Sequence, residues 1–272
     1  MKRTLGKKRK EAAMGIKDTI HFNWYKHLIL LFLLILCVGS SIRVTEADFI
    51  KVFANSNQMT AFLSRFLHPE VSYLPKIIPP MIKTLKMSVL GTAIGVFFAV
   101  PFAFTATWVV TRNHAVTAVI RFFLNLVRTI PNLLLAALFV AIVGIGEATG
   151  VLTIAIFTFG MVSQLIYESI ETIDYGPIEA AESVGANKVQ IAVWSIAPQI
   201  FSQIVSYTFY ALEVNVRGSA VLGYVGAGGI GVILNSSLAL FQYERVSIVI
   251  LSILFVVAVA DGISESIRRR LV

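Results

Sequence analysis

Residues 168–198, ESIETIDYGPIEAAESVGANKVQIAVWSIAP, are the longest polar interruption in the second half of an otherwise apolar chain. Five acidic residues in this stretch stand against a single lysine. A Gly-Pro pair at 176–177 predicts a turn, and the alanine-rich pattern at 178–184 predicts a short helix. Gly185 ends that pattern, and a second, apolar helix is predicted from about Val189. The sequence therefore predicts a short helix between two membrane spans, where a partner outside the membrane could hold it.

The composition indicates that a lipid bilayer is the natural environment of this chain. Of its 272 residues, 57% are hydrophobic and 14% are charged, and the mean hydropathy is +0.80. A soluble domain has about half apolar and about a quarter charged residues. The net charge of +8 comes largely from basic residues near the two ends of the chain. Beside apolar spans, such residues indicate membrane orientation and contact with anionic lipid, and no nucleic-acid-binding module accompanies them.

Apolar segments of about 20 residues predict an all-α membrane protein with about six transmembrane helices. A basic cytoplasmic tail at 1–27 precedes a short first span at 28–44, for which a signal peptide is the alternative. The proline-rich residues 45–80 predict an extracytoplasmic connector, and residues 81–272 hold the other spans and the polar loop 168–190. These spans are expected at about 83–110, 119–145, 150–167, 189–213 and 246–267, with bends at Pro101 and Pro131.

The distribution of lysine and arginine orients the predicted spans. With both termini and the polar loop in the cytoplasm, fifteen of the 23 basic residues lie on the cytoplasmic side and eight outside. This excess follows the positive-inside rule, in which acidic residues carry little weight. The sequence therefore predicts a multi-pass plasma-membrane protein with both termini cytoplasmic.

The motifs of several enzyme classes are missing from the sequence. It contains neither the G-x-x-x-x-G-K-[ST] loop of P-loop ATPases nor a G-x-S-x-G nucleophile pattern, and its four histidines lack metal-ligand spacing. We therefore expect no ATPase site, cofactor or metal on this chain. The two halves show no clear inverted repeat, which weakens an ion-coupled secondary transporter as the alternative.

A second informative stretch, EVNVRGSAVLGYVGAGGIGVIL, occupies residues 213–234. Its glycines formally match the dinucleotide fingerprint G-x-G-x-x-G, but membrane helices are predicted on both sides instead of a βαβ unit. Such glycines indicate irregular backbone beside a polar cavity, close packing between helices, or both. Gly226, Gly228 and Gly229 are therefore candidate residues of a substrate pathway.

Four polar residues are further candidates for that pathway. Glu213 and Arg217 lie four residues apart near the outer end of the fifth span, where they could pair on one helix face. Alternatively, Arg217 and Asn215 could offer hydrogen-bond donors to a passing anion. Arg128, near the inner end of the third span, could either do the same or extend to lipid phosphate.

The segment 179–198, EAAESVGANKVQIAVWSIAP, resembles the loop motif of ABC-importer permeases: Glu-Ala-Ala, a glycine six residues after the glutamate, and a proline near the end. Ser195 and Ala197 depart from this motif, which prefers Ile and Leu there. Three further segments narrow the match to phosphonate/phosphate-type permeases of type I ABC importers, over about residues 80–272. They are RTIPNLLLAALFVAIVGIG (128–146), YESIETIDYGPIEA (167–180) and EVNVRGSAVLGYVGAGGIG (213–231).

The resemblance implies the transmembrane permease subunit of an ATP-driven importer for phosphonate, phosphate or a related phosphorus oxyanion in a bacterial plasma membrane. Two permease copies, as a homodimer, would form the pathway, an ABC ATPase dimer would hold ATP and Mg, and an extracytoplasmic binding protein would deliver substrate. The residues that match the ATPase-coupling element are Glu179, Ala180, Ala181 and Gly185. A permease for methionine or a sulfonate is the alternative within this class, and a solvated acidic connector is the alternative for the loop.

Overall fold

The computed structural model describes residues 24–45 and 56–271, which divide into two units at residues 61 and 62. Most of the predicted basic tail and residues 46–55 of the predicted connector lie outside the described residues. In the first unit, helix α1 covers Trp24–Val44, is long and apolar enough to cross a membrane, and begins four residues before the predicted span. Helix α2, Ser56–Phe66, follows in the region predicted as a connector.

The second unit consists of helices joined by short turns and contains no strand in its described residues. A 3₁₀ turn at Val71–Tyr73 leads into its first long helix, and a π-helical turn at Ile191–Ile196 and a 3₁₀ turn at Gly223–Val225 flank another. Its α-helices are α3 Leu74–Thr105, α4 Trp108–Thr111, α5 His114–Thr129, α6 Asn132–Val143, α7 Glu147–Ile170, α8 Gly176–Ser183, α9 Lys188–Gln190, α10 Ala197–Leu222, α11 Ile230–Ala239 and α12 Tyr243–Leu271.

Five helical segments of the described chain are long and apolar enough to cross a bilayer, and the pair α5–α6 brings the number to six if it is one span. This pair bends by 88° at the break that contains Pro131. Proline has no N–H to donate and restricts the residue before it, so a helix ends readily at this position. The predicted all-α membrane architecture is confirmed, and the bend is close to a right angle.

Helix α3 begins at Leu74, nine residues before the predicted start of the second span at Lys83. The predicted connector 45–80 therefore ends too late, because its last seven residues are already helical. Pro75 lies in the first turn of α3, where the missing N–H has no helical partner to lose. Pro101 lies inside the same helix, which continues to Thr105.

Helix α7 lies at the centre of the second unit, packed against α3 and α10. Two glycines on α3 permit this close approach. A Cβ atom on Gly91 would lie 2.6 Å from Ile154 Cγ2, and one on Gly95 would lie 2.6 Å from the Ala155 carbonyl oxygen. Small residues let membrane helices pack backbone to backbone, where dispersion contacts hold them together.

Candidate functional site

Helix α8 occupies the middle of the acidic loop, and four of the five loop acids have partners in the described chain. Glu168 accepts a hydrogen bond from Gln164 Nε2 at 2.6 Å, and Asp174 Oδ1 accepts one at 3.0 Å from the N–H of Gly176, the first residue of α8. Glu171 and Glu182 form ion pairs with Arg121 and Arg112, respectively.

Glu179 is the remaining acid of the loop. Its side chain is exposed and has neither a hydrogen bond nor an ion pair with any described residue. Glu179 therefore offers a free carboxylate on the exposed face of α8.

The opposite face of α8 is fixed to the helical core. Ile178 is 1% exposed and lies in the largest hydrophobic cluster. The buried Ser195 hydroxyl donates to the Pro177 carbonyl at 3.1 Å, and Gln199 Nε2 donates to the Asp174 carbonyl at 3.3 Å. Ser195 lies in the π-helical turn before α10 and Gln199 lies in the first turn of α10, so a shift of α8 would disturb the base of that helix.

The end of α8 is a Schellman motif built on Gly185. The Ala186 N–H donates to the Ala181 carbonyl at 3.0 Å, and the Gly185 N–H donates to the Glu182 carbonyl at 2.9 Å. Gly185 has φ +80°, a left-handed conformation that favours glycine. Ala180 is exposed, while Ala181 packs against the core. The four residues of the predicted coupling element thus form one short helix and its turn.

Basic side chains join α8 and the ends of the helices around it to one another. Arg112, directly after α4, forms its ion pair with Glu182 of α8, and Arg121 of α5 forms its ion pair with Glu171, directly after α7. Lys188 of α9 donates from Nζ to the Thr111 carbonyl of α4 at 2.9 Å. Arg121 also donates from Nε to the Ala106 carbonyl at 2.7 Å and lies over the Tyr167 ring, with its Cζ 4.7 Å from the centroid. We call α4, α8, α9, the π-helical turn, Arg121 and Glu171 the loop block.

The glycine-rich stretch lies at the other end of α7. The Gly146 N–H donates to the Gly226 carbonyl at 3.1 Å, which joins the α6–α7 turn to this stretch. Gly223 and Gly231 pack so closely that a Cβ on either would overlap the backbone of the other. A Cβ on Gly150 would lie 2.7 Å from the Ala227 carbonyl oxygen. We call residues 144–150 and 220–231 the glycine seam.

The three glycine candidates lie at the edge of this seam. Gly226, Gly228 and Gly229 are partly buried, and each has a positive φ. A Cβ on Gly229 would lie 2.5 Å from Thr84 Oγ1, and the Ile230 N–H donates to the same oxygen at 2.8 Å. Close packing and irregular backbone therefore occur together at these glycines.

Arg217 does not lie at the end of its helix, because α10 runs on to Leu222. Its Nη2 lies 3.1 Å from Glu213 Oε1 and 3.6 Å from Asp261 Oδ2 on α12. Two carboxylates thus surround one guanidinium, so this group has less charge to offer to a passing anion. The helix-pair alternative describes Arg217 and Glu213 better.

Asn215 differs from its prediction because it is buried in the core and not presented beside Arg217. It is 3% exposed, and its Nδ2 donates to Thr92 Oγ1 at 2.8 Å and to Thr158 Oγ1 at 2.7 Å. Both amide hydrogens are used, so Asn215 joins α3, α7 and α10. Every third or fourth residue of a helix shares a face, so Arg217, two residues on, points elsewhere.

Arg128 lies at the end of α5, exposed and without an ion pair or hydrogen bond to a described residue. The structure therefore does not bring Arg128 and Arg217 to one enclosed site within a single chain. Sequence reasoning did not identify Arg112 as the partner of Glu182 or Arg121 as the partner of Glu171. Their acids are 70 and 50 residues away, and no local pattern reveals such pairs.

The described chain has several helices long and apolar enough to cross a membrane, and a short helix with an exposed face lies between two of them. A model of the family described as binding-protein-dependent transport system inner membrane component matches residues 91–272, and the chain belongs to this family. It is a permease of the ABC-importer class, with several membrane-spanning helices.

Curated relatives include permeases named for phosphorus compounds. The phosphite transport system permease protein PtxC of Stutzerimonas stutzeri is 39% identical over 201 residues, which cover 74% of this chain and 73% of the relative. The phosphate-import permease protein PhnE of Mycolicibacterium smegmatis is 36% identical over 214 residues, which cover 79% of this chain but 40% of that longer protein.

Solved structures support the fold. A chain of the inward-facing MetNI methionine ABC transporter matches with a TM-score of 0.66 and 21% identity, and the match covers 72% of this chain and 96% of that one. The predicted permease fold is therefore confirmed.

Proposed function

We propose that this chain is the transmembrane permease subunit of an ATP-driven importer for a phosphorus oxyanion: phosphite, phosphonate or phosphate. The observation that carries the substrate class is the identity of 39% to a phosphite permease along nearly three quarters of both chains. Further relatives, named as phosphate, phosphite or phosphonate permeases, support the same chemical class. We expect no ATP hydrolysis by this chain.

The energy would come from an ABC ATPase dimer that holds ATP and Mg and docks on α8. The free carboxylate of Glu179 supports this assignment, because the other loop acids are already used within the chain. Ala180 permits a close approach, Ala181 anchors the helix, and Gly185 turns the chain back. Displacement of α8 by the ATPase would be transmitted through the loop block to α5 and α10.

This arrangement requires the loop block to face the cytoplasm and the glycine seam to face outward. A binding protein would then deliver the oxyanion at the seam end, and a second copy of the chain would complete the pathway in the bacterial plasma membrane. Gly226, Gly228 and Gly229 would form part of the outer rim of that pathway. The positive-inside excess of lysine and arginine supports this orientation.

Uptake into proteoliposomes tests the proposal. The permease is reconstituted with the ATPase and the binding protein, and uptake of radiolabelled phosphite, phosphate and methylphosphonate is measured with and without ATP, and with ionophores. We expect uptake of at least one of the three that requires ATP and is insensitive to ionophores. Uptake that needs no ATP and is abolished by ionophores would refute the proposal in favour of an ion-coupled carrier.

A further inference from the structure

Arg128 differs from most other basic residues of the second unit because no described residue neutralises it. Most of the others have an ion pair or a hydrogen bond with an acid or a carbonyl. They are Lys83, Arg112, Arg121, Lys188, Arg217, Arg245 and Arg269. The exposed side chain of Arg128 has no such contact with the described residues.

The backbone of Arg128 lies beside the middle part of α7, a helix long and apolar enough to cross a membrane. A Cβ on Gly160 would lie 3.5 Å from the Arg128 nitrogen, and Gly160 is the fourteenth of the 24 residues of α7. At 1.5 Å per residue, the two ends of α7 are about 20 Å and about 15 Å from this level. An arginine at the centre of a bilayer costs about 3 kcal/mol on insertion scales, so it normally faces protein or water.

Helix α5 has two exposed faces of different character. One is apolar and carries Val119, Phe122 and Leu126, which are 68%, 71% and 53% exposed. The other carries Asn125 and Arg128, both exposed and one turn apart. An exposed polar face on a membrane helix indicates a water-accessible surface or a protein interface rather than lipid.

Polar side chains also occupy the interior at this depth. Asn215 and Thr158 are hydrogen-bonded to each other, and Thr158 lies two residues before Gly160. Asn132, just after the bend, shares with Asn215 the lining of a small cavity of about 10 Å³, and its buried Oδ1 has no partner in the described chain. This volume is about enough for one water molecule. The middle of the unit is therefore polar where lipid contact would require apolar residues.

We propose that Arg128, supported by Asn125, binds the transported oxyanion as it passes the middle of the membrane; this inference rests on the proposed function. The planar guanidinium can donate two parallel N–H bonds to two oxygens of a tetrahedral phosphorus group. The Asn125 amide, one turn earlier, can donate a third. Arg217 is less suited to this role because two carboxylates already surround it.

A lipid headgroup could supply the same phosphate chemistry to an arginine that extends toward the interface. Its phosphodiester would occupy the guanidinium permanently, whereas a transported anion must leave it. Substitution of Arg128 should therefore lower the transport rate if the bound phosphate group belongs to the transported anion. It should instead remove bound phospholipid if that group belongs to a lipid.

Transport kinetics of the complete transporter separate these possibilities, with phosphite as the probe. The variants are Arg128→Gln, Arg128→Lys and Asn125→Ala, and Arg269→Gln serves as the control at an exposed arginine. Loss of charged hydrogen bonds worth about 1.5–3 kcal/mol predicts a maximal uptake rate lowered about tenfold or more in Arg128→Gln. The phosphite concentration at half-maximal uptake should not change, because the binding protein sets it. Arg128→Lys should recover part of the rate, and Asn125→Ala should lose less than Arg128→Gln.

A second measurement covers the case in which Arg128→Gln fails to assemble. The full-length permease is purified in detergent, phosphite is added, and the broadening of its ³¹P resonance is compared between the wild type and Arg128→Lys. Broadening that is weaker in Arg128→Lys supports the site. Equal broadening, together with a phospholipid that co-purifies only with the wild type, would assign Arg128 to lipid and overturn the inference. A wild-type transport rate in Arg128→Gln would also overturn the inference about Arg128. If the wild type takes up none of phosphite, phosphate and methylphosphonate, the proposed function is refuted instead.

Discussion

The two ends of α7 are held by different kinds of contact. At the loop block, segments distant in sequence are joined by side chains: the ion pairs of Arg112 and Arg121 and the hydrogen bond of Ser195. At the glycine seam, backbones touch directly, because Gly223 and Gly231 leave no room for a side chain between them. Long polar side chains can re-form their contacts after a displacement, whereas a backbone contact tolerates almost none. We therefore expect the loop block to adjust to a partner and the seam to stay fixed.

The largest effect is expected at the seam. In Gly231→Ala, the new Cβ would overlap the Ala220 carbonyl and the Gly223 backbone, and neither can rotate away. Overpacking of this kind should cost about 3 kcal/mol or more. The measurement is the thermal midpoint and the monodisperse yield of the purified chain. Gly218→Ala is the matched control: its Cβ would meet no atom within 4 Å, and alanine favours the helix. Equal stability of the two variants would contradict the close contact described for the seam.

A smaller effect is expected in the loop block from Arg121→Gln. This change removes the ion pair with Glu171, a hydrogen bond to Ala106 and the contact with the Tyr167 ring, together worth about 2 kcal/mol. The exchanged double variant Arg121→Glu with Glu171→Arg should recover only part of the loss, since it restores the ion pair alone. The thermal midpoints of the wild type, Arg121→Gln and the double variant, measured in one detergent, give the loss of stability and its partial recovery. A double variant no better than Arg121→Gln would indicate that the ion pair contributes nothing.

The smallest effect is expected from an ion pair at the seam end, between the start of α3 and α12. Arg245 Nε donates to Glu70 Oε2 at 2.8 Å, and this hydrogen bond lowers the pKa of the Glu70 carboxyl, with partial opposition from desolvation. A folded-state pKa below the unfolded value gives stabilisation that is present above about pH 4.5 and is lost as the pH falls through the lowered pKa. The thermal midpoint of the wild type should therefore approach that of Glu70→Gln between neutral pH and about pH 3. A constant difference over this range would mean that the pair does not titrate as described.

The sequence predicted those elements that local pattern determines. The apolar runs predicted the spans, and the Gly-Pro pair and Gly185 predicted the start of α8 to within two residues and its end to within one. Helix α3 begins earlier than predicted. Prolines such as Pro75 usually indicate a loop, but the first turn of a helix also tolerates proline.

Contacts between distant segments were not predictable in this way. The hydrogen bonds of Asn215 join residues 123 and 57 positions apart, and the ion pair of Arg217 with Asp261 joins two helices. Both depend on how helices cross, which no single periodicity encodes. No sequence pattern shows that Glu179 lacks a hydrogen bond or ion pair with the described residues. This follows only from the contacts of the other acidic residues of the loop.

The number of phosphite ions transported per ATP hydrolysed tests the docking role of Glu179 most directly. In proteoliposomes with the ATPase and the binding protein, Glu179→Lys should reverse the charge of the free carboxylate and lower this ratio about tenfold, while the chain still inserts into the membrane. Glu168→Lys makes the same charge change on the same loop and should keep the wild-type ratio, because its described partner is Gln164 one turn away. A wild-type ratio in Glu179→Lys would contradict the assignment of α8 as the ATPase-docking helix.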